Sequence, residues 1–160
     1  MSTSAAAAAS VEASSTPAVL AHHTKRLITE LEVVDLQKLQ AEMGNKVLII
    51  KFGAEWCGPC KRIAPTFHNF ISGCPTNIIF ADIDVDENLD LYIALKKNKM
   101  VNGIPAFLAF YGDKIREKWF IPDDSVTGAD ETTVNQFFDR CRTKAVDLIS
   151  KQPTPYSYYT

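Results

Sequence analysis

A pair of cysteines separated by two residues stands between a predicted strand and a predicted helix. The hexapeptide Trp56-Cys57-Gly58-Pro59-Cys60-Lys61 follows the nearly continuous apolar run 47–52 and precedes apolar residues at helical spacing within 61–71. The first run is typical of a central strand covered on both faces, and the second is typical of an amphipathic helix. Two cysteines at this spacing indicate either a redox pair or part of a metal site.

Composition and charge limit what surrounds this pair. The chain is 46% hydrophobic and 22% charged with a net charge of −2, which is ordinary for a globular protein. Such a charge predicts neither nucleic acid nor an acidic membrane as partner. No apolar run approaches the roughly 20 residues that span a bilayer. The four cysteines, without a predicted signal peptide, favour a reducing compartment, so we expect a cytoplasmic protein.

The ends of the chain differ in composition from its centre. Residues 1–24 are rich in Ala and Ser and contain no Lys or Arg, so we predict a disordered tail. An organelle transit peptide is also Ser-rich but is normally Arg-rich, so targeting is the less favoured interpretation. We expect one folded domain over residues 25–150 and a flexible tail over residues 151–160.

Helical and strand patterns alternate along the predicted domain, which predicts an α/β fold with a mixed sheet. An extended segment from Leu27 precedes a helix that Asp35 caps and Gly44 ends. The later predicted elements are a strand 78–84, a helix 88–98, a hairpin of strands 105–111 and 114–120 across Gly112-Asp113, a polar loop 123–130 and a helix 132–148.

Several segments together resemble the thioredoxin family. The segment 52–61 resembles the thioredoxin active site, and Pro65 lies five residues beyond the second cysteine as in that family. Gly103-Ile104-Pro105 is similar to the family's cis-proline segment, and 126–129 to the glycine-containing loop before its last helix. The resemblance covers about residues 27–145. It implies a thioredoxin fold, with a central mixed sheet of four to five strands flanked by about four helices.

The chemistry expected of this site is thiol–disulfide exchange, which needs one attacking thiolate and one resolving thiol. Cys57 is predicted to be the nucleophile, because the start of a helix favours negative charge. Cys60 lies one turn inside the helix, and we expect it to be the more shielded, resolving cysteine. Gly58 and Pro59 form the tight turn between the sulfurs, and Trp56 flanks them as an apolar platform.

The resemblance also implies how substrates bind. The Ile104–Pro105 bond is then cis and lies against the cysteines, where it exposes the Ile104 backbone to an extended substrate. A proline at that place offers no metal ligand, and Cys74 and Cys141 lack a Cys-x-x-Cys partner, so we predict no metal. No cofactor is expected beyond the redox-active Cys57–Cys60 disulfide. The implied partners are disulfide-containing proteins and a thioredoxin reductase or another electron donor.

Other candidate ligands have simpler interpretations. Cys74 and Cys141 are expected to be buried thiols. His22 and His23 fall in the predicted tail, and His68 falls on the polar side of a helix, so all three are expected at the surface.

Lys51 departs from the family pattern. Thioredoxins usually have a buried aspartate at this position, which assists proton transfer to the resolving thiol. Asp82 on the neighbouring predicted strand occupies a position where some members carry Lys, so we hypothesise a Lys51–Asp82 pair with reversed charges. Such a lysine can stabilise a thiolate but is a poorer base while protonated. The alternative is that Lys51 extends to solvent and has no role.

The second departure is a longer connection after Gly112. We predict that residues 120–124 extend the hairpin or form a loop near the substrate face, as a partner-selecting element or as a tolerated insertion. The leading interpretation is a protein-disulfide reductase. The alternative is a thioredoxin-like binding or regulatory module of a larger complex, for example a dynein-arm light chain, with secondary redox activity.

Overall fold

The structure is a computed structural model that describes residues 27–152. Five strands form one sheet in the order β1-β3-β2-β4-β5. The strands are β1 (Leu27–Ile28), β2 (Val47–Gly53), β3 (Ile78–Asp84), β4 (Ala106–Tyr111) and β5 (Asp124–Thr127). The helices are α1 (Val33–Glu42), α2 (Gly58–Gly73), α3 (Leu89–Lys97) and α4 (Glu131–Ser150). This mixed α/β sheet with four helices confirms the predicted fold class.

The predicted central strand is confirmed. Every residue of β2 is buried, and β2 lies between β3, which is parallel to it, and β4, which is antiparallel. Its carboxyl end at Gly53 is level with the end of β3 and with the start of β4. That end of the sheet therefore gathers the segments that follow β2 and β3 and the segment that precedes β4.

The sheet separates two apolar cores. Alternate residues of β2 point to opposite faces: Leu48 and Ile50 pack in the core that also contains Leu36 of α1 and Leu91 of α3. The other core lies under α2 and α4, and its aromatic members are Phe67, Phe70, Phe80, Phe107, Phe137 and Phe138. None of the helices among the described residues is long and apolar enough to span a bilayer.

The predicted hairpin across Gly112-Asp113 is wrong. β4 pairs with β5, inside the region predicted to be a polar loop, and residues 114–120 contain no strand. The Asp123 carboxylate accepts a hydrogen bond from the Tyr111 amide, and the Arg116 guanidinium bonds the carbonyls of Tyr111 and Ile121 and the Asp123 carboxylate. These contacts hold 112–123 as a compact loop, so the turn residues do not return the chain alongside β4.

The loop 112–123 does not lie near the substrate face, where it was predicted. Tyr111 is level with Val47, at the amino end of β2, whereas the cysteines follow its carboxyl end. The connection beginning at Gly112 therefore leaves from the far end of the sheet, so residues 120–124 neither extend a hairpin nor form a loop near the substrate face.

The remaining predictions concern the start and end of α1 and the two tails of the chain. Asp35 does not cap α1: Glu32 is the N-cap, and Asp35 is the third helical residue of a reciprocal capping box. Gly44 follows α1 with a φ of 60°, as expected of a residue that ends a helix. The tail predicted over 1–24, together with His22 and His23, and all but the first two residues of the tail predicted over 151–160 lie outside the described residues.

Candidate active site

The two cysteines occupy the first turn of α2. Cys57 is the N-cap of the helix, and a disulfide joins it to Cys60. The Cys57 sulfur accepts a hydrogen bond from the Cys60 amide at 3.2 Å. Pro59 also lies in the first turn, where a missing amide hydrogen costs the helix nothing. The free N–H groups and the dipole of α2 therefore act on Cys57 and favour a negative charge there.

Burial does not distinguish the two cysteines in the oxidised site. Cys57 is 5% exposed and Cys60 is 4% exposed, so the difference in shielding predicted between them is very small in this state. The two differ in their surroundings. Cys57 is the cap of α2, whereas Cys60 lies inside the helix and lines a pocket that opens to solvent.

The predicted proline segment lies against Cys57. The Ile104–Pro105 peptide bond is cis, and the Ile104 carbonyl oxygen is 3.9 Å from the Cys57 sulfur. Because Ala106 pairs with Phe52 at the end of β2, the start of β4 places this bond beside the cysteines. The Gly128 amide, from the predicted glycine-containing loop, donates to the Pro105 carbonyl at 2.8 Å.

Trp56 forms an exposed surface beside the disulfide. Its side chain is fixed although the residue is 70% exposed, because Nε1 donates to the Asp86 carboxylate at 2.8 Å. Sequence reasoning missed Asp86. The signal available was its position just beyond β3, whose carboxyl end is level with that of β2.

Lys51 and Asp82 are brought together by the register of β2 and β3. Lys51 Nζ lies 3.2 Å and 3.5 Å from the two Asp82 carboxylate oxygens. Lys51 is buried and does not extend to solvent, and its Nζ also lies 5.5 Å from the centre of the Phe67 ring. Both side chains line a cavity of about 300 Å³ that reaches Cys60.

The remaining cysteines lie away from the disulfide. Cys141 is fully buried within α4, and burial raises the pKa of its thiol well above the ordinary range. Cys74 follows α2 and is only partly buried, contrary to prediction. His68 is exposed on α2, as predicted.

Comparison with known proteins identifies related chains. The thioredoxin family model matches residues 30–139. The chain is 42% identical over 62 residues to thioredoxin from Ophiophagus hannah, a match that covers 37% of this chain and 58% of that protein. It is 34% identical over 99 residues to thioredoxin from Callithrix jacchus, covering 59% of this chain and 82% of that protein.

Solved structures agree with this relationship. The X-ray structure of Fasciola hepatica thioredoxin matches with a TM-score of 0.54 and 30% identity, covering 72% of this chain and 97% of that one. Some curated relatives match over a shorter part. The matched region spans 58% of the Ophiophagus hannah protein and 44% of thioredoxin domain-containing protein 8 from Mus musculus.

Proposed function

Because this chain belongs to the thioredoxin family, we propose that it is a thiol–disulfide oxidoreductase that reduces disulfides in proteins. The observation that carries the proposal is the Cys57–Cys60 disulfide at the amino end of α2. The Ile104 carbonyl next to the Cys57 sulfur and the exposed Trp56 that precedes Cys57 support a site open to a protein substrate.

Cys57 is the attacking residue in this proposal. In the reduced protein its thiolate attacks one sulfur of the substrate disulfide, forms a mixed disulfide and releases the other substrate sulfur as a thiolate. The position of Cys57 as N-cap supports this role, because the helix end stabilises the thiolate. Cys60, one helical turn away, then attacks the Cys57 sulfur and releases the second substrate thiolate.

The substrate contacts follow from the surface around Cys57. The Ile104 carbonyl beside the sulfur is a backbone acceptor for an extended chain that lies along the start of β4. Trp56 supplies apolar area at the edge of the site, while Gly58 and Pro59 hold the turn between the sulfurs. A substrate disulfide carried on an exposed, extended loop fits this arrangement.

A complete cycle needs an electron donor. Each substrate disulfide reduced leaves Cys57 and Cys60 oxidised, so a thioredoxin reductase or another dithiol donor must regenerate the pair. A reducing, cytoplasmic location remains a prediction from the sequence.

Reduction of insulin tests the proposal. The full-length chain, supplied with dithiothreitol, should accelerate insulin reduction, and the Cys57→Ser variant should not exceed the dithiothreitol background. Absence of turnover by the intact protein would contradict the reductase role and favour the module of a larger complex.

A further inference from the structure

The loop 112–123 presents two isoleucine side chains to solvent. Ile115 is 101% exposed and Ile121 is 45% exposed, and both line one groove of about 610 Å³. Exposed apolar side chains that share a groove, unlike scattered single ones, indicate a contact site. Because the loop leaves from the end of the sheet opposite the disulfide, thiol exchange does not account for this exposure.

The groove combines apolar and charged side chains. Besides the two isoleucines, its lining residues are Arg116, Glu117, Lys118 and Asp123. Arg116 and Asp123 pair with each other, and the two other charged residues are exposed and of opposite sign. The lining therefore has no net charge that would attract a strongly acidic or basic segment. It fits an uncharged segment with tyrosines, since a ring packs on the isoleucines, its face accepts a lysine ammonium and its hydroxyl stays in water.

We propose that residues 153–160 of the same chain occupy this groove, with tyrosine rings packed against the two isoleucines. The segment contains Tyr156, Tyr158 and Tyr159, two prolines and no charged side chain, so its composition matches the lining of the groove. The prolines favour an extended chain, which loses less conformational entropy on binding than a flexible one. In this proposal the segment is held on the loop instead of forming the free tail predicted from composition.

The end of α4 brings this segment to the loop. Lys144 of α4 forms an ion pair of 2.6 Å with Asp113, the second residue of the loop. Lys151 lies two turns further along the same face and is the C-cap of the helix. Asp147 has the largest effect in raising the pKa of the Lys151 ammonium, and Asp113 adds to that effect. The chain that follows Lys151 therefore starts close to the beginning of the loop.

The segment is long enough to reach and span the groove. Residues 153–160, if extended, cover at most about 29 Å. Ile115 is two residues beyond Asp113, so their Cα atoms are at most about 8 Å apart. A short connection also holds the segment at an effective concentration of roughly millimolar. Weak contacts with the groove are then sufficient to occupy it.

Methyl NMR of the full-length protein tests the contact. A tyrosine ring packed over a methyl group shifts the methyl proton resonance upfield. The two isoleucine methyls of the groove should therefore show an upfield shift that is lost in the triple variant Tyr156→Ser/Tyr158→Ser/Tyr159→Ser. The methyl of Ile93 is the internal control, because this residue is 49% exposed on α3 and does not line the groove. Its resonance should be the same in both proteins.

Ile115→Ser is the reciprocal variant. Ile115 is fully exposed, so the substitution should leave the fold unchanged while it removes a large part of the apolar contact. The ¹⁵N heteronuclear NOE of residues 156–160 should then fall toward the value of a free, flexible chain. Ile93→Ser is the matched control, since it removes an exposed isoleucine outside the groove and should not change this NOE.

Three outcomes would overturn the proposal. Identical isoleucine shifts in the wild type and the triple variant would show that the tyrosines do not contact the groove, and would leave it to a partner protein. Tyrosine-dependent shifts that disappear on dilution would show that a second copy supplies the segment. An NOE that does not change in Ile115→Ser would show that this side chain does not hold the segment. Concentration-independent shifts, together with a lower NOE in Ile115→Ser, are the expected result.

Discussion

The backbone N–H of Cys60 donates a hydrogen bond to the sulfur of Cys57 over 3.2 Å. In the reduced protein, the same donor is available to stabilise a Cys57 thiolate. The sulfur of Cys60, one turn further into α2, cannot act as the cap of that helix. The asymmetry between the two cysteines therefore comes from helix capping and not from solvent exposure, which is 5% for Cys57 and 4% for Cys60.

This asymmetry predicts the order of alkylation. When the reduced protein is treated with limiting iodoacetamide near neutral pH, Cys57 should be modified before Cys60, because more of it is thiolate. Mass spectrometry of the peptides gives the ratio. Similar labelling of both cysteines at short times would contradict the assignment of Cys57 as the nucleophile.

Trp56 should contribute to substrate binding more than to stability. We expect Trp56→Ala to lower kcat/KM for insulin roughly three- to tenfold, because a large apolar contact beside the disulfide is lost. The free energy of unfolding should change by less than about 0.5 kcal/mol, because the residue is mostly exposed. Trp56→Phe keeps most of the apolar contact and loses only the hydrogen bond to Asp86, so it serves as the matched control. An unchanged kcat/KM in Trp56→Ala would exclude a substrate contact.

Arg116 should stabilise the fold without affecting exchange. Its guanidinium contacts the carbonyls of Tyr111 and Ile121 as well as Asp123, and its side chain is only 12% exposed. Arg116→Ala should therefore reduce the free energy of unfolding, measured in urea, by roughly 1.5–3 kcal/mol. Insulin reduction by the folded variant should be unchanged, because the loop leaves from the far end of the sheet. Lys118→Ala, at an exposed position of the same loop, should have little effect on either quantity.

Gly112 lies too close to the backbone after α1 to carry a side chain. A Cβ atom there would be 2.2 Å from the Gly44 carbonyl oxygen, and the Gly112 amide donates to the Lys46 carbonyl at 2.9 Å. We expect Gly112→Ala to destabilise the protein by roughly 1–3 kcal/mol, since the two segments must separate. Gly73→Ala is the control, because no atom lies within 4 Å of its added Cβ. Equal thermal midpoints for the two variants would show that the contact is unimportant.

Cys141 should make stability depend on alkaline pH. Burial raises the pKa of its thiol above the ordinary value of 9.0, so the native protein retains a proton that the unfolded chain loses. The contribution of the protonated Cys141 thiol to the free energy of unfolding is complete below pH 9. It declines as the pH rises above that value, by up to about 1.4 kcal/mol per pH unit. Cys141→Ala should show a smaller decline when urea unfolding is repeated at increasing pH. Parallel curves for the two proteins would contradict this contribution.

Strand predictions succeeded where the local residue pattern and the tertiary environment agree. The continuous apolar run of β2 belongs to a strand buried on both faces, and the alternation of helix and strand determines which elements are neighbours. The bounds of β3 agree with the prediction at both ends, Ile78 and Asp84. The thioredoxin resemblance depends on residues that adjoin such elements, which explains why the Cys57–Cys60 disulfide and the cis bond before Pro105 could be predicted from sequence.

The failures concern contacts between segments distant along the chain. Gly112-Asp113 is a local turn signal. However, the Asp123 carboxylate accepts a hydrogen bond from the Tyr111 amide, twelve residues away, and this contact helps to hold the segment after β4 as a loop instead of a strand. The hydrogen bond between Trp56 and Asp86 also depends on how the segment after β3 approaches the residues that follow β2. Local residue pattern does not determine such distances.

The disulfide closes a very short ring. Cys57 and Cys60 lie three positions apart within one helical turn, so their bond restricts the unfolded chain far less than a link between distant segments does. The sheet and both cores are held by contacts that do not involve this bond. Opening this bond therefore costs the fold less stability than opening a link between distant segments would, which suits a bond that is made and broken in every catalytic round.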